Sequence, residues 1–124
     1  STAKVGLVNS IGRGVNKGAG KALFSTTKDA AQTIGKQFNG NVTELKNGWK
    51  IDIPNPSGSS KPVVVRIMNE GSGGRTQPYF RVSIDGKGSY TLDGVMSNDR
   101  GLTHVDMSNS YLEQITKIVN GIGR

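Results

Sequence analysis

An α+β fold, with an N-terminal helix, a four- to five-stranded and mostly antiparallel sheet, and a C-terminal helix, follows from three features of the sequence. Apolar residues recur at helical spacing between residues 25 and 38. They recur at every second position through much of residues 42–107, and again at helical spacing after residue 110. The β segments are joined by short loops, and parallel pairing needs long crossovers, so the sheet is expected to be a meander with the helices layered on one face.

The elements are justified in chain order. Residues 1–24 carry Gly6, Gly12, Gly14, Gly18 and Gly20. Val5, Val8, Val15, Ala19 and Ala22 keep a helical rhythm there, but each glycine costs about 1 kcal/mol relative to alanine inside a helix. The segment reads as a glycine-rich basic junction or entry segment ahead of a single domain, residues 25–124. Ser25 or Thr26 caps the first helix, Ala30, Ala31, Ile34 and Phe38 share its apolar face, and Asn39-Gly40 ends it. Trp49, Ile51 and Ile53 alternate with Lys50 and Asp52 in a half-buried strand, which stops at the loop Pro54 to Gly58. Pro62 to Met68 is the most β-prone run and is expected to be a central strand. A second loop spans 69–78, Tyr79 to Ile84 alternates again, and Asp85 to Gly88 forms a hairpin turn. Ser89 to Gly94 is expected to return as a strand, and Leu102 to Met107 as a last short one. Ser110 and Glu113 have capping-box spacing. Leu112, Ile115, Val119 and Ile122 then form an apolar stripe with Ile118 beside it, and Asn120-Gly121 is the expected stop. There is no internal repeat.

Composition bounds the chemistry. The 124 residues are one domain's worth of chain, long enough to bury roughly two thirds of the unfolded surface. With no cysteine, disulfides, thiolate metal sites and cysteine nucleophiles are excluded, and with one histidine, His104, so is a multi-histidine zinc site within one chain. No run of about 18 apolar residues exists, so no stable membrane insertion is expected, and no secretory signal is visible at the start. The lack of an initiator methionine suggests a fragment or a processed domain. Sixteen basic and nine acidic residues give a net charge of +7, which favours polyanionic partners. Residues 1–40 hold six basic groups (Lys4, Arg13, Lys17, Lys21, Lys28, Lys36) against Asp29 alone, a basic arm on a nearly balanced body.

Strand alternation sorts the β residues into two faces. Val63, Val65, Ile67, Phe80, Val82 and Ile84, joined by Tyr90, Leu92 and Val105, make the core side. Arg66, Tyr79, Arg81, Ser83, Thr91 and His104 fall on the other side, which is expected to be open to solvent. Such a face suits phosphodiester cleavage without metal or other cofactor. A base takes the proton of the 2′-hydroxyl, an acid protonates the leaving 5′-oxygen, and cations stabilise the charge on phosphorus. A histidine titrates near neutrality, so His104 can be base or acid, or it is a surface or core residue with no catalytic role. Arg66 and Arg81 grip phosphate oxygens with a planar fork, or pair across strands with Asp52, Asp85 or Asp93. Tyr79 donates a proton, stacks on a base, or only packs. Thr103 or Thr91 hydrogen-bonds a phosphate oxygen. Arg100 reaches the same phosphate or pairs with Asp99. The catalytic set is thus His104, Arg66, Arg81, Tyr79 and Thr103, and the substrate-binding set is Arg100, Thr91, Ser83 and Lys61, with no pattern fixing the role of Lys61. Trp49 reads as core. The run Gly71 to Arg75 lacks the lysine-hydroxyl ending of a P-loop and is not followed by a helix. No G-x-S-x-G elbow occurs, and the acids are too scattered for a two-metal nuclease.

The segment from Gly48 to Met107 resembles the C-terminal toxin domains of bacterial polymorphic toxins, including contact-dependent growth inhibition effectors. The residues that carry this are Lys61 to Met68, Pro78 to Arg81 and Asp99 to His104. In architecture it is similar to the barnase–EndoU–colicin–RelE ribonuclease group. The resemblance implies a metal-independent endoribonuclease, cleaving RNA and most often tRNA in the cytoplasm of a competing cell. It would be delivered as the secreted or cell-surface C-terminus of a larger protein and neutralised by a cognate, acidic immunity protein. Two alternatives stand beside it: a non-catalytic nucleic-acid-binding module, and a basic interaction domain docking on an acidic protein partner.

Overall fold

The computed structural model describes residues 24–84 and 87–122. The glycine-rich segment, apart from Phe24, and the Asp85-Gly86 step of the expected hairpin lie outside the described residues. Helix α1 (Thr27–Phe38) starts where Thr26, in extended conformation, accepts the Asp29 N–H on its hydroxyl. It ends at Asn39, whose φ of 54° is the left-handed conformation that asparagine tolerates. Four antiparallel strands form the body of the sheet: β1 (Asn41–Leu45), β2 (Gly48–Ile53), β3 (Val63–Met68) and β4 (Tyr79–Ile84). Gly48 sits where β2 runs close against β3. A Cβ there would lie 2.5 Å from the Ile67 carbonyl oxygen, so no larger residue fits without moving backbone.

Three short strands complete the sheet: β5 (Ser89–Tyr90), β6 (Met96–Ser97) and β7 (Val105–Asp106), with the four-residue helix α2 (Arg100–Thr103) between the last two. Helix α3 (Tyr111–Ile122) closes the described chain. The order is β1-β2-β3-β4-β5-β6, with β7 also paired to β4. Because β3 occupies one edge of β4 along its whole length, β5 and β7 share the other edge.

One face of this sheet is the core. Ile51, Ile53, Val63, Val65, Ile67, Phe80 and Val82 are buried under Ala30, Ala31 and Ile34 of α1 and Leu112, Ile115, Ile118 and Val119 of α3. Each large apolar side chain so buried contributes roughly 1.5–3 kcal/mol. Trp49, Tyr90 and Val105 pack against the rim of this cluster, as does Ile122.

The α+β class and the helix–sheet–helix order stand, with more strands than the four or five expected. Three local expectations need correction. The run from Ser89 is a strand for two residues only; the Thr91 hydroxyl then accepts the Asp93 and Val95 N–H groups and turns the chain back. Leu92, expected in the core, is 39% exposed on that turn. Leu102 and Thr103 are helical, not extended. Asp99 caps α2 by accepting the Gly101 N–H, and its carbonyl accepts from the Thr103 hydroxyl, local bonds that outcompete a strand ladder. At the C-terminal end, α3 continues through Asn120-Gly121 to Ile122.

Candidate functional site

The face opposite the helices carries a row of cations set by register. Lys50 pairs with Arg66 across β2 and β3, and Arg66 pairs with Arg81 across β3 and β4. Residues directly opposite on one face are neighbours, so three positive side chains stand side by side on adjacent strands. Among the described residues, no carboxylate lies within salt-bridge distance of Arg66, Arg81 or Arg100. The two ion pairs present are Lys50 with Asp52 at 3.8 Å and Arg75 with Asp106 at 3.7 Å.

The next place in the row is where the edge of β4 is shared. Continuing the Phe80–Val105 pairing by one step sets His104 opposite Arg81. Continuing the Ser83–Ser89 pairing by two steps sets Thr91 at the same level. The chain leaves the edge of β4 at Thr91, pairs back on β5 as β6, and regains that edge at His104, so the excursion 91–104 begins and ends beside Arg81. His104 is extended, φ −100° and ψ 103°, after the last turn of α2. Its ring lies 5.0 Å from the Tyr79 ring, centroid to centroid.

The imidazole is held in one orientation. The Thr103 hydroxyl lies 3.1 Å from His104 Nδ1 and donates its one hydrogen to the Asp99 carbonyl at 3.1 Å. With that hydrogen committed, Thr103 accepts from Nδ1–H, and the lone pair of the neutral ring is left on Nε2. Burial pushes the His104 pKa below its ordinary value, helped by the charges of Arg81, Arg75 and Arg100 and opposed by a backbone hydrogen bond at Arg100. Burial also depresses Arg81, with Arg66 and Arg100 adding to the effect against the pull of Tyr79. The ring is therefore a neutral base in a cationic surround.

Arg75 was not among the expected site residues. Its Nη2 donates to the His104 carbonyl at 3.3 Å and faces Asp106, and its guanidinium lies 5.4 Å over the Tyr79 ring. The preceding glycines make this possible: Gly71, Gly73 and Gly74 all take positive φ, a sequence of backbone states that side chains disfavour, and they fold the 69–78 loop back over the sheet. The same glycine run that fails as a phosphate loop is what delivers Arg75. A signal existed in the sequence, since glycines so dense mark a tight turn, but not where the turn leads.

Of the remaining expected residues only Lys61 lies apart; the others surround the cluster, but not all are free to meet a substrate. The polar face is not fully open: Tyr79, Thr103 and Val64 are buried. Tyr79 is 6% exposed, with its hydroxyl 3.4 Å from that of Ser72, so it packs beneath Arg75 and against His104 and does not stand free to meet a base. Thr103 is bound to Asp99 and His104 and has no hydrogen left for a phosphate. The Thr91 hydroxyl accepts two N–H groups of its turn and keeps its own hydrogen to donate, at the level of Arg81. Ser83 lies one pleat along from Arg81, its hydroxyl 3.5 Å from the Val64 carbonyl. Arg100 is exposed on α2 and close enough to act on both His104 and Arg81. Lys61 lies in the 54–62 loop, where its carbonyl accepts from Asn55. It is five positions before Arg66, about 16 Å at the strand rise, which takes it away from the cluster.

A cavity of about 640 Å³ lies elsewhere, at the end of α1, lined by Gln32, Gly35, Lys36, Asn39, Gly40 and Val42. It holds no pair of groups suited to acid–base work. Among the described residues, no three His, Asp or Glu side chains gather as a metal-binding set, and no helix is long and apolar enough to cross a membrane. No family model, curated protein or solved structure matches the chain, so its function is argued from this geometry.

Proposed function

We propose that this domain is a metal-independent endoribonuclease in which His104 is the base and Arg81, Arg66 and Arg100 bind the phosphate. The observation that supports it best is the lone neutral imidazole, anchored through Nδ1, beside the guanidiniums of Arg81 and Arg100, which have no carboxylate partner among the described residues. Unpaired cations beside a neutral base are costly in a sheet, and an anionic substrate relieves that cost.

The reaction uses these groups directly. His104 Nε2 takes the proton of the 2′-hydroxyl, the 2′-oxygen bonds to phosphorus, and the bond from phosphorus to the 5′-oxygen breaks. The imidazolium so formed releases that proton to solvent and the leaving 5′-oxygen takes one up from solvent, since in-line attack puts the two oxygens on opposite sides of phosphorus. The products are a 2′,3′-cyclic phosphate and a 5′-hydroxyl. The guanidiniums meet the charge that builds on the phosphoryl oxygens, and proton transfer by a placed side chain is worth about 10²–10⁴-fold. Tyr79 and Arg75 position the ring and its carbonyl. The role as a delivered toxin acting on tRNA, with an acidic immunity protein as partner, rests on the resemblance of residues 48–107.

The test is incubation with total tRNA in excess EDTA, with end-group analysis of the fragments. Discrete products with cyclic phosphate ends are expected, and His104→Ala should abolish them while RNA binding persists. Cleavage by His104→Ala at the parental rate would show the assignment of the base to be wrong. Binding without any cleavage by the parent would leave a nucleic-acid-binding module.

A further inference from the structure

Resting on that reading, we infer that the cation row Lys50–Arg66–Arg81 is a track for one strand of polynucleotide running across the β-strands, with Lys50 as a second phosphate subsite two strands from the reaction centre. The register puts the three side chains opposite one another in order, and His104 follows at the level of Arg81. Neighbouring strands lie about 4.8 Å apart, so Lys50 stands roughly 10 Å from Arg81. That backbone spacing lets the ammonium meet the phosphate next to the one held at Arg81. Lys50, Arg66, Arg81 and His104 are all half-buried, so the row is recessed yet reachable along its whole length. The Asp52 partner of Lys50 is itself half-exposed and 3.8 Å away, a weak surface pair that an incoming phosphate displaces.

The track selects single strands. Tyr79 and Thr103 are buried on this side, and Arg75 of the 69–78 loop lies over the Tyr79 ring beside His104, so the row is walled at that end. A flexible strand enters such a recess; the wide cylinder of a duplex meets the wall first. The chemistry agrees, because an A-form duplex holds the 2′-oxygen out of line with the leaving 5′-oxygen.

The experiment measures binding of a fluorescent eight-nucleotide RNA analogue, 2′-O-methylated so that it is not cleaved, across a salt series. Lys50→Gln should reduce the slope of log affinity against log salt by about 0.7 and weaken binding roughly threefold near 100 mM salt. Lys28→Gln, on α1 beyond the opposite face, removes the same charge and should change neither. The same oligomer annealed to its complement should bind more weakly than the single strand. An unchanged slope in Lys50→Gln, equal losses in both variants, or a duplex preferred to a single strand would overturn the track even if tRNA cleavage is observed. Conversely, a parent that binds the oligomer with the predicted Lys50 dependence but never cleaves tRNA would sink the nuclease reading and leave the track in place.

Discussion

Arg66 lies between Lys50 and Arg81, so replacing it with glutamine removes two like-charged cross-strand pairs in one change. Directly opposed charges on a sheet are worth roughly 0.2–1 kcal/mol per pair. Coulomb's law agrees: at about 6 Å in water the repulsion is about 0.7 kcal/mol. Arg66→Gln is therefore expected to stabilise the domain by roughly 1 kcal/mol, with loss of part of the aliphatic stem working against the gain. For a domain of this size 1 kcal/mol is about 4–8 °C in Tm. Arg66→Lys keeps the charge and should show no such rise. The assay is thermal unfolding at 20 mM and at 1 M NaCl. The Debye length shrinks to about 3 Å at 1 M, so the gain should largely vanish there. The same variant should bind RNA more weakly, so stability and binding move in opposite directions. If Arg66→Gln lowers Tm at low salt, the guanidinium is holding the fold together and the argument that it is kept for an anionic ligand fails. A gain that survives 1 M salt would refute the electrostatic explanation instead.

Two further outcomes follow from the histidine. Thr103→Val should slow cleavage about tenfold or more, by analogy with other partners that orient a functional imidazole. Thr103→Ser should restore most of the rate, and ¹⁵N chemical shifts of the sole histidine should show loss of the Nδ1–H tautomer in the valine variant alone. The depressed pKa of His104 carries a sign for stability: between its folded value and the ordinary 6.5, the unfolded chain binds more protons, so stability rises with pH through that window and is lost as pH falls through the folded pKa. An NMR titration should place the midpoint below 6.5. Denaturant unfolding should show this part of the pH dependence disappear in His104→Ala.

Much of the fold was legible because the long strands are regular. Within β2, β3 and β4 the side-chain period is two, so alternation alone assigns Ile51, Val65 and Val82 to one face and Lys50, Arg66 and Arg81 to the other. Where hydroxyls and carboxylates bind their own backbone, periodicity is silent. Thr91 and Asp99 each turn the chain through such bonds, which is why Leu92 left the core and Leu102 became helical. His104 reaches the polar face all the same, because Val105 packs against the core and the residue before it points the other way. Arg75 was invisible for a different reason: three positive-φ glycines decide its direction, and their geometry is not written in any pattern of polarity.

The two faces of the sheet divide the work. The apolar side supplies the stability, through Phe80, Ile67, Val65 and the helices above them. The polar side consumes some of it, in the adjacent guanidiniums of Arg66 and Arg81, without carboxylate partners among the described residues, and in an imidazole kept neutral by burial. A locally inconsistent arrangement of this kind is expected at functional sites, and its cost is bearable because core burial on the opposite face exceeds it. The position of the excursion is what turns a charged face into a site. A strand continuing past Tyr90 would pair with Arg81 and fill the edge of β4. By turning at Thr91 and returning at His104, the chain breaks that edge at the one level where the cation row ends. The break brings Arg100, Thr103 and the imidazole to Arg81 without adding a strand between them. In the proposed nuclease the chemistry would depend on a few local hydrogen bonds at Thr91 and Asp99, not on the core, and changes there should alter activity well before they alter the fold.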